Sequence, residues 1–226
     1  MTTYSATPPP RSEKTLIDNA DRLAGKTLRQ IAYEMGLTVP ADQSHAKGWI
    51  GELMELCLGA TASSRPEPDF QYIGVELKTL PINHIGKPKE STYVCTVPLT
   101  VEADISWSGS VVKRKLSRVL WLPVEADASI EFAQRRIGSA FLWSPDAQQE
   151  TDLRTDWQEI MDMIHMGEID KISSQHGKVL QIRPKAVNAR ALTKTATATG
   201  EPGFTLPRGF YLRTSFTHNL LTMYAR

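Results

Sequence analysis

Asp69-Phe70-Gln71-Tyr72-Ile73-Gly74-Val75-Glu76-Leu77-Lys78-Thr79-Leu80 changes the character of this 226-residue chain from helical to extended. Its second half is an apolar run broken only by Glu76 and Lys78 and bounded by Gly74, and it reads as a strand. Side chains alternate faces along a strand, so Glu76 and Lys78 point one way while Val75, Leu77 and Thr79 point the other. Asp69 follows Pro68 at the junction of loop and strand. Two carboxylates and an ammonium meet the needs of phosphodiester hydrolysis: hard oxygen ligands for Mg2+, a water made nucleophilic near neutral pH, and positive charge for the developing oxyanion. On that reading Asp69 and Glu76 hold the metal, the Leu77 carbonyl adds a ligand, and Lys78 orients the attacking water or steadies the developing charge. The tripeptide alone carries no weight, because acid-x-Lys arises by chance about once in a chain of this size. A second reading stays open, an edge strand whose solvated Glu/Lys pair discourages aggregation.

Upstream of this stretch the pattern is helical. Leu16, Ile17, Ala20, Leu23 and Ala24 fall at helical spacing, and Thr27 is placed to cap a second short helix that stops at Gly36. A third helix is predicted from about Lys47 to Leu58, with Ile50, Leu53, Met54 and Cys57 on one face, Glu55 beside them and Gly59 as its stop. Residues 1–11, with three consecutive prolines and little to bury, read as a disordered lead-in. Downstream, Ser91 to Leu99 and Arg118 to Val124 are further strands, expected to join the first in a central sheet. Leu153, Trp157, Ile160, Met161 and Ile164 return to helical spacing across an acidic run from Asp146 to Asp170, whose carboxylates are expected to face water. Short strands at Val179 to Ile182 and Phe210 to Leu212 and a helix from Ser215 to Tyr224 complete an α/β or α+β order with two lobes. Residues 12–226 are taken as one domain, its catalytic lobe containing 47–125.

The net charge of +1 hides an asymmetry. From Lys171 to Arg226 there are nine basic residues against one acid, Glu201, a net +8, which leaves −7 for the first 170 residues. A block of like charge repels itself, and its natural use is as a footprint for a polyanion, which makes 171–226 the candidate nucleic-acid-reading segment. A merely solvated basic surface is the alternative, as it is for the acidic helix. No apolar run has the roughly 18 residues of a membrane span and no secretion signal precedes the first helix, so a cytoplasmic protein is expected. Cys57 and Cys95 are too few for a disulfide framework, the five histidines lack zinc spacing, and there is no Walker A motif.

Four runs carry a specific likeness: Lys47-Gly48-Trp49-Ile50-Gly51-Glu52-Leu53-Met54-Glu55, Asp69 to Thr79, Arg118-Val119-Leu120-Trp121-Leu122-Pro123-Val124-Glu125, and Pro207-Arg208-Gly209-Phe210-Tyr211-Leu212. In this order they resemble the MutH family of methyl-directed mismatch-repair endonucleases, relatives of restriction enzymes with the PD-(D/E)xK core, over the chain from about residue 13 to its end. The resemblance implies a restriction-endonuclease-like α/β fold: a central mixed sheet flanked by helices, with two lobes forming a DNA-binding cleft. It also implies nicking of the unmethylated strand of hemimethylated GATC sites, 5′ to the G, with Mg2+, by a monomer that MutL activates after MutS finds a mismatch. Asp69, Glu76 and Lys78 match the catalytic positions, with Glu55 near the metal and Lys115 as an additional active-site lysine. Two positions depart from the pattern, Arg114 where His is expected and Tyr93 where Phe is common.

The same resemblance makes Gln181-Ile182-Arg183-Pro184-Lys185 a base-reading loop, with Arg183 and Lys185 facing guanine acceptors in the major groove. Lys47 and Tyr93 are further implied DNA contacts, and Tyr211 matches the residue that senses adenine methylation. An aromatic ring there tolerates an amino hydrogen on N6 and clashes with a methyl. Taken without the family, Tyr211 reads as a core aromatic between Phe210 and Leu212, and Arg183 as a surface arginine. Competing functions are a GATC-specific restriction enzyme that cuts both strands and a non-catalytic regulator that binds hemimethylated DNA.

Overall fold

Capping chemistry sets the first two helices where the sequence places them. Ser12 accepts from the Thr15 backbone N–H to open α1 (Glu13–Asp21), and Thr27 forms a reciprocal capping box with Gln30 at the start of α2 (Leu28–Glu34). The computed structural model describes residues 7–41, 48–62, 65–100, 105–185, 192–195 and 203–224. After α3 (Trp49–Leu58) come β1 (Glu76–Ile82), β2 (Thr92–Thr96), α4 (Val111–Leu116), β3 (Val119–Glu125), β4 (Phe141–Trp143) and α5 (Ala147–His165). The chain continues through β5 (Leu180–Pro184), β6 (Thr193–Thr195), β7 (Gly203–Thr205), β8 (Arg208–Leu212) and α6 (Thr214–Tyr224). The described residues divide into two compact units: those up to Lys89 with Ser117–Ser144, and Glu90–Leu116 with those from Pro145 onward. The span 47–125 thus contributes to both. No helix among the described residues is long and apolar enough to cross a membrane.

The first unit is built on a mixed sheet in the order β1-β3-β4. β1 runs parallel to β3 in the register Glu76↔Val119 to Ile82↔Glu125, and β4 runs antiparallel to β3. As the middle strand β3 is buried from Val119 to Val124, and a near-continuous apolar run is what burial on both faces requires. Leu16, Ile31, Met54 and Leu58 of the three helices pack in one core with Leu77 and Leu120. Each such fully buried side chain contributes roughly 1.5–3 kcal/mol. Arg118 donates to both carboxylate oxygens of Glu13, at 2.7 and 2.6 Å, tying the first turn of α1 to the start of β3. The Arg118 hydrogen bonds hold the Glu13 carboxyl below the usual carboxylate range.

Residues 7–11, expected to be disordered, are instead laid over the end of α3. Gly59 closes that helix in the left-handed conformation, φ 79°, and a β-carbon there would lie 2.7 Å from the Pro8 carbonyl oxygen. Pro10 is buried, and the Arg11 guanidinium stacks 3.6 Å from the centre of the Tyr72 ring. The segment can lie down at little entropic cost because its prolines are already restricted in φ.

A second departure concerns β2. It does not join β1 and β3 but pairs with β8 in an antiparallel sheet of the second unit, in the order β2-β8-β5. A register shift between Tyr93 and Cys95 marks a β-bulge. Without it Tyr93 and Cys95 would share a face. With it, Val94 and Cys95 are both buried while Tyr93 and Thr96 turn outward. Leu180, Ile182, Phe210 and Leu212 complete the buried face, and α5 packs against β5.

The carboxylates of α5 do not all face water. Asp156 is 4% exposed and accepts from the backbone N–H groups of Lys178, Val179 and Leu180 at 2.8, 2.7 and 2.7 Å. Gly177, at φ 77°, makes this turn, and a β-carbon there would meet the Leu180 carbonyl oxygen at 1.8 Å. From the other side Arg213 donates to the carbonyls of Ser174, His176 and Gly177. The turn into β5 is therefore held by one carboxylate and one guanidinium. Hydrogen bonds to a charged group contribute about 1.5–3 kcal/mol each, and orphaned buried donors add a penalty. We predict that Asp156→Ala lowers unfolding stability by about 3 kcal/mol or more, read from the urea midpoint; a loss under about 1 kcal/mol would mean that the carboxylate does not hold the turn.

Candidate active site and nucleic-acid interface

A tight hairpin brings Asp69 to β1. The Phe70 N–H donates to the Val75 carbonyl at 2.9 Å, folding the chain back so that Asp69 Oδ2 accepts from the Leu77 N–H, also at 2.9 Å. The Asp69 carbonyl accepts from Thr61 N–H just beyond α3. The aspartate is thus fixed through both its backbone and its side chain, and is 6% exposed. Alternation along β1 places Glu76 and Lys78 on one face, with Lys78 Nζ 2.6 Å from Glu76 Oε1. Their side chains are 2% and 12% exposed. β1 is an edge strand, but a pair this buried is not the solvated pair that would protect an edge.

Glu55, from the last turns of α3, is half-buried. Burial first, then the negative charges of Asp69, Glu76 and Glu52, push its carboxyl up, and Lys78 pulls it down. Three carboxylates from a helix, a hairpin and a strand therefore act on one another electrostatically, with Lys78 as a nearby positive charge. Such a spot favours a cation. Among the described residues, no group of three or more His, Cys, Asp or Glu stands close enough to hold a metal by itself. Lys115, expected beside these groups, is carried by α4 in the second unit, next to the buried Leu116. Lys47 lies outside the described residues.

The second unit gathers the other expected residues on the outer face of its sheet. Tyr93 pairs with Tyr211, and Tyr211 with Gln181; one step along, Gly209 pairs with Thr96 and Arg183. The Tyr93 and Tyr211 rings meet edge to face, centroids 5.4 Å apart. Lys185 Nζ lies 3.5 Å from the centre of the Tyr93 ring, the Arg183 guanidinium 6.0 Å from that of Tyr211. Arg183 also donates to Ser91 Oγ at 2.7 Å, and the Tyr93 and Thr96 hydroxyls are 3.0 Å apart. Arg183, Pro184 and Lys185 are exposed. The result is two aromatic rings and two cations on one open sheet face, a surface that suits bases and phosphates. Tyr211 is half-buried rather than a core aromatic. Burial first, then Tyr93, pushes its phenol up against the pull of Arg183, so it stays a neutral donor and acceptor near pH 7.

Two residues escaped the sequence reading although each left a signal. Asp156 sits between Leu153 and Trp157 on the apolar face of α5, a position where an acid needs a partner. Gly209 interrupts an otherwise apolar strand, the mark of a close approach to the backbone.

Comparison with known proteins shows the family. A family model described as the DNA mismatch repair enzyme MutH matches residues 58–156, which include Asp69, Glu76 and Lys78. Proteins named DNA mismatch repair protein MutH from Salmonella typhi, Salmonella paratyphi B and Salmonella newport are each 53% identical to this chain over 213 residues, covering 94% of it and 92% of theirs. With such identity sustained across nearly the whole of both sequences, the chain belongs to the MutH family of DNA mismatch repair enzymes.

Proposed function

We propose that the protein is a Mg2+-dependent cytoplasmic endonuclease that nicks the unmethylated strand of hemimethylated GATC sites, 5′ to the G, acting as a monomer on double-stranded DNA. The observation that carries this reading is the burial of Glu76 and Lys78 as a pair on one strand beside the hydrogen-bonded Asp69. A protein that only bound DNA would gain nothing from carboxylates near a phosphate backbone, since like charges repel. Asp69 and Glu76, with Glu55 near them and the Leu77 carbonyl as a further oxygen, are the residues that would hold the ion. The donor set fits Mg2+, which is commonly held by one or two carboxylates with water and substrate phosphate supplying the rest. Bound there, Mg2+ supplies a water acidic enough to attack near neutral pH and charge to offset the developing oxyanion. Lys78 orients that water or keeps positive charge where the phosphate gains negative charge, and Lys115 is an additional active-site lysine.

Reading falls to the second unit. Arg183 and Lys185 present donors to guanine acceptors, and the Tyr211 ring accepts an unmethylated adenine and clashes with an N6-methyl group. Pro184 ends β5 between the two cations, and Tyr93 and Lys47 add DNA contacts. The chain has no nucleotide-binding loop of its own, so the ATP-driven signal from a mismatch comes from partners: MutL as direct activator and MutS upstream.

Cleavage of matched unmethylated, hemimethylated and fully methylated GATC duplexes tests the reading. The expected result is a nick in the unmethylated strand only; cutting of both strands points to a restriction enzyme, and no cleavage even with the activating partner points to a DNA-binding regulator. Asp69→Ala is expected to lower cleavage by at least about 100-fold while DNA binding persists; full activity would remove Asp69 from the mechanism. Lys185→Ala is expected to reduce discrimination between GATC and altered sites about tenfold. If it changes only overall affinity and salt slope, Lys185 contacts phosphate instead. The raised Glu55 carboxyl gives a third check. Its ionisation works against the fold, an effect absent below the ordinary glutamate range near about pH 4 and present once pH exceeds the raised value. Glu55→Gln is therefore expected to melt higher than the parent at pH 7, with the gap closing as pH falls below about 4; a gap independent of pH would mean that Glu55 feels no such repulsion.

A further inference from the structure

Gly209 stands at the centre of the reading face, flanked by Thr96 on β2 and Arg183 on β5. Its backbone is not in the left-handed region, so any residue would suit its conformation. What the position lacks is room. A β-carbon there would lie 2.8 Å from Tyr93 Cε2, 3.1 Å from Tyr93 Cδ2 and 3.0 Å from Tyr211 Cε2. These are atoms of rigid rings, not ends of flexible chains. To restore ordinary contact at 3.4 Å the Tyr93 edge would have to withdraw by about 0.6 Å. The Tyr211 edge would have to move as well, and the two rings already touch each other.

We propose that Gly209 is a positioning residue for methylation discrimination: its missing side chain lets the Tyr93 and Tyr211 rings close over β8, which fixes both the sensing ring and the lysine seated on its neighbour. The inference rests on the reading of Tyr211 as the methylation sensor. Tyr93 is the link. Its hydroxyl is anchored on Thr96 and its face carries the Lys185 ammonium, so a shift of this one ring is passed to Lys185 on one side and Tyr211 on the other. Discrimination against a methyl group is a matter of steric clash, and displacements on the order of 1 Å are enough to change rates by orders of magnitude. Asp69 and Glu76 belong to the first unit and Gly209 to the second, which separates the predicted effect from loss of the chemistry itself.

The test is strand-selective nicking of a hemimethylated GATC duplex by the full-length protein with Mg2+, comparing the parent with Gly209→Ala, Tyr93→Leu and the double variant, each checked for folding by thermal melting. The readout is the ratio of cleavage rates for the unmethylated and methylated strands, which a simple loss of folded protein would not move. Gly209→Ala is expected to lower that ratio about tenfold, and the double variant to match Tyr93→Leu alone, because removing the Tyr93 ring removes the closest contact and leaves the Tyr211 edge room to give. Equal slowing on both strands with an unchanged ratio would overturn the inference, as would a double variant clearly less selective than Tyr93→Leu alone. If Gly209→Ala does not fold, a folded double variant as selective as Tyr93→Leu supports the ring contact, and a double variant that also fails to fold overturns it. A parent enzyme that cuts both strands alike would instead sink the reading of Tyr211, and the role of Gly209 with it, before any substitution is compared.

Discussion

Glu76 carries a charge into a place where water hardly reaches, and the first unit is arranged around that fact. A buried carboxylate is tolerated only when its charge is met at close range, and Lys78 meets it from the same face of the same strand. The pairing demands a regular strand from Glu76 onward, and β3 enforces one through its parallel register. It also demands that Asp69 be held close against the strand. The Leu77 N–H does this, at the cost of a hairpin that must close within a few residues. Glu55 feels the same Lys78, but burial and the neighbouring carboxylates outweigh it and push its carboxyl up. The unit thus holds its negative charge partly compensated, which is the condition of a site prepared for a cation.

The second unit meets a different constraint. An antiparallel sheet can bury one face and leave the other open, provided that alternation is kept. β8 and β5 keep it, with Phe210, Leu212, Leu180 and Ile182 inward and Tyr211, Gln181 and Arg183 outward. β2 keeps it only by means of its bulge, which buries Val94 and Cys95 in succession without turning Tyr93 inward. Asp156 and Arg213 then fix the turn that feeds β5. The exposed face is accurate because the backbone beneath it is pinned at both ends.

Much of this was legible locally. Alternation located β1 and the shared face of Glu76 and Lys78, the capping Thr27 located α2, and helical spacing located α1, α3 and α5. What local pattern did not carry is which strand pairs with which. β2 looks like a continuation of the first sheet, yet its hydrogen bonds go to a strand from the end of the chain. The burial of Asp156 depends on backbone donors more than twenty residues away, and the need for glycine at 209 on a ring contributed by β2. The proline lead-in shows the opposite failure: composition suggested a free segment, while the space beside Gly59 and the ring of Tyr72 gave it somewhere to lie. α4 is a single short turn-and-a-half of basic residues between two small apolar anchors, too brief for periodicity to reveal.

The pairing of β2 with β8 also sets a timetable for synthesis. Tyr93 and Tyr211 are about 118 positions apart, so β2 leaves the ribosome long before its one strand partner among the described residues exists. For that interval its backbone donors and acceptors and the apolar pair Val94 and Cys95 have no sheet to enter. β1 and β3, by contrast, find each other after a gap of some 36 residues, with the β2 segment looped out between them. The sheet of the first unit can therefore condense early while that of the second waits for its last strand. A chain cut short before β8 would keep Asp69, Glu76 and Lys78 and leave β2 as an exposed strand edge open to other chains.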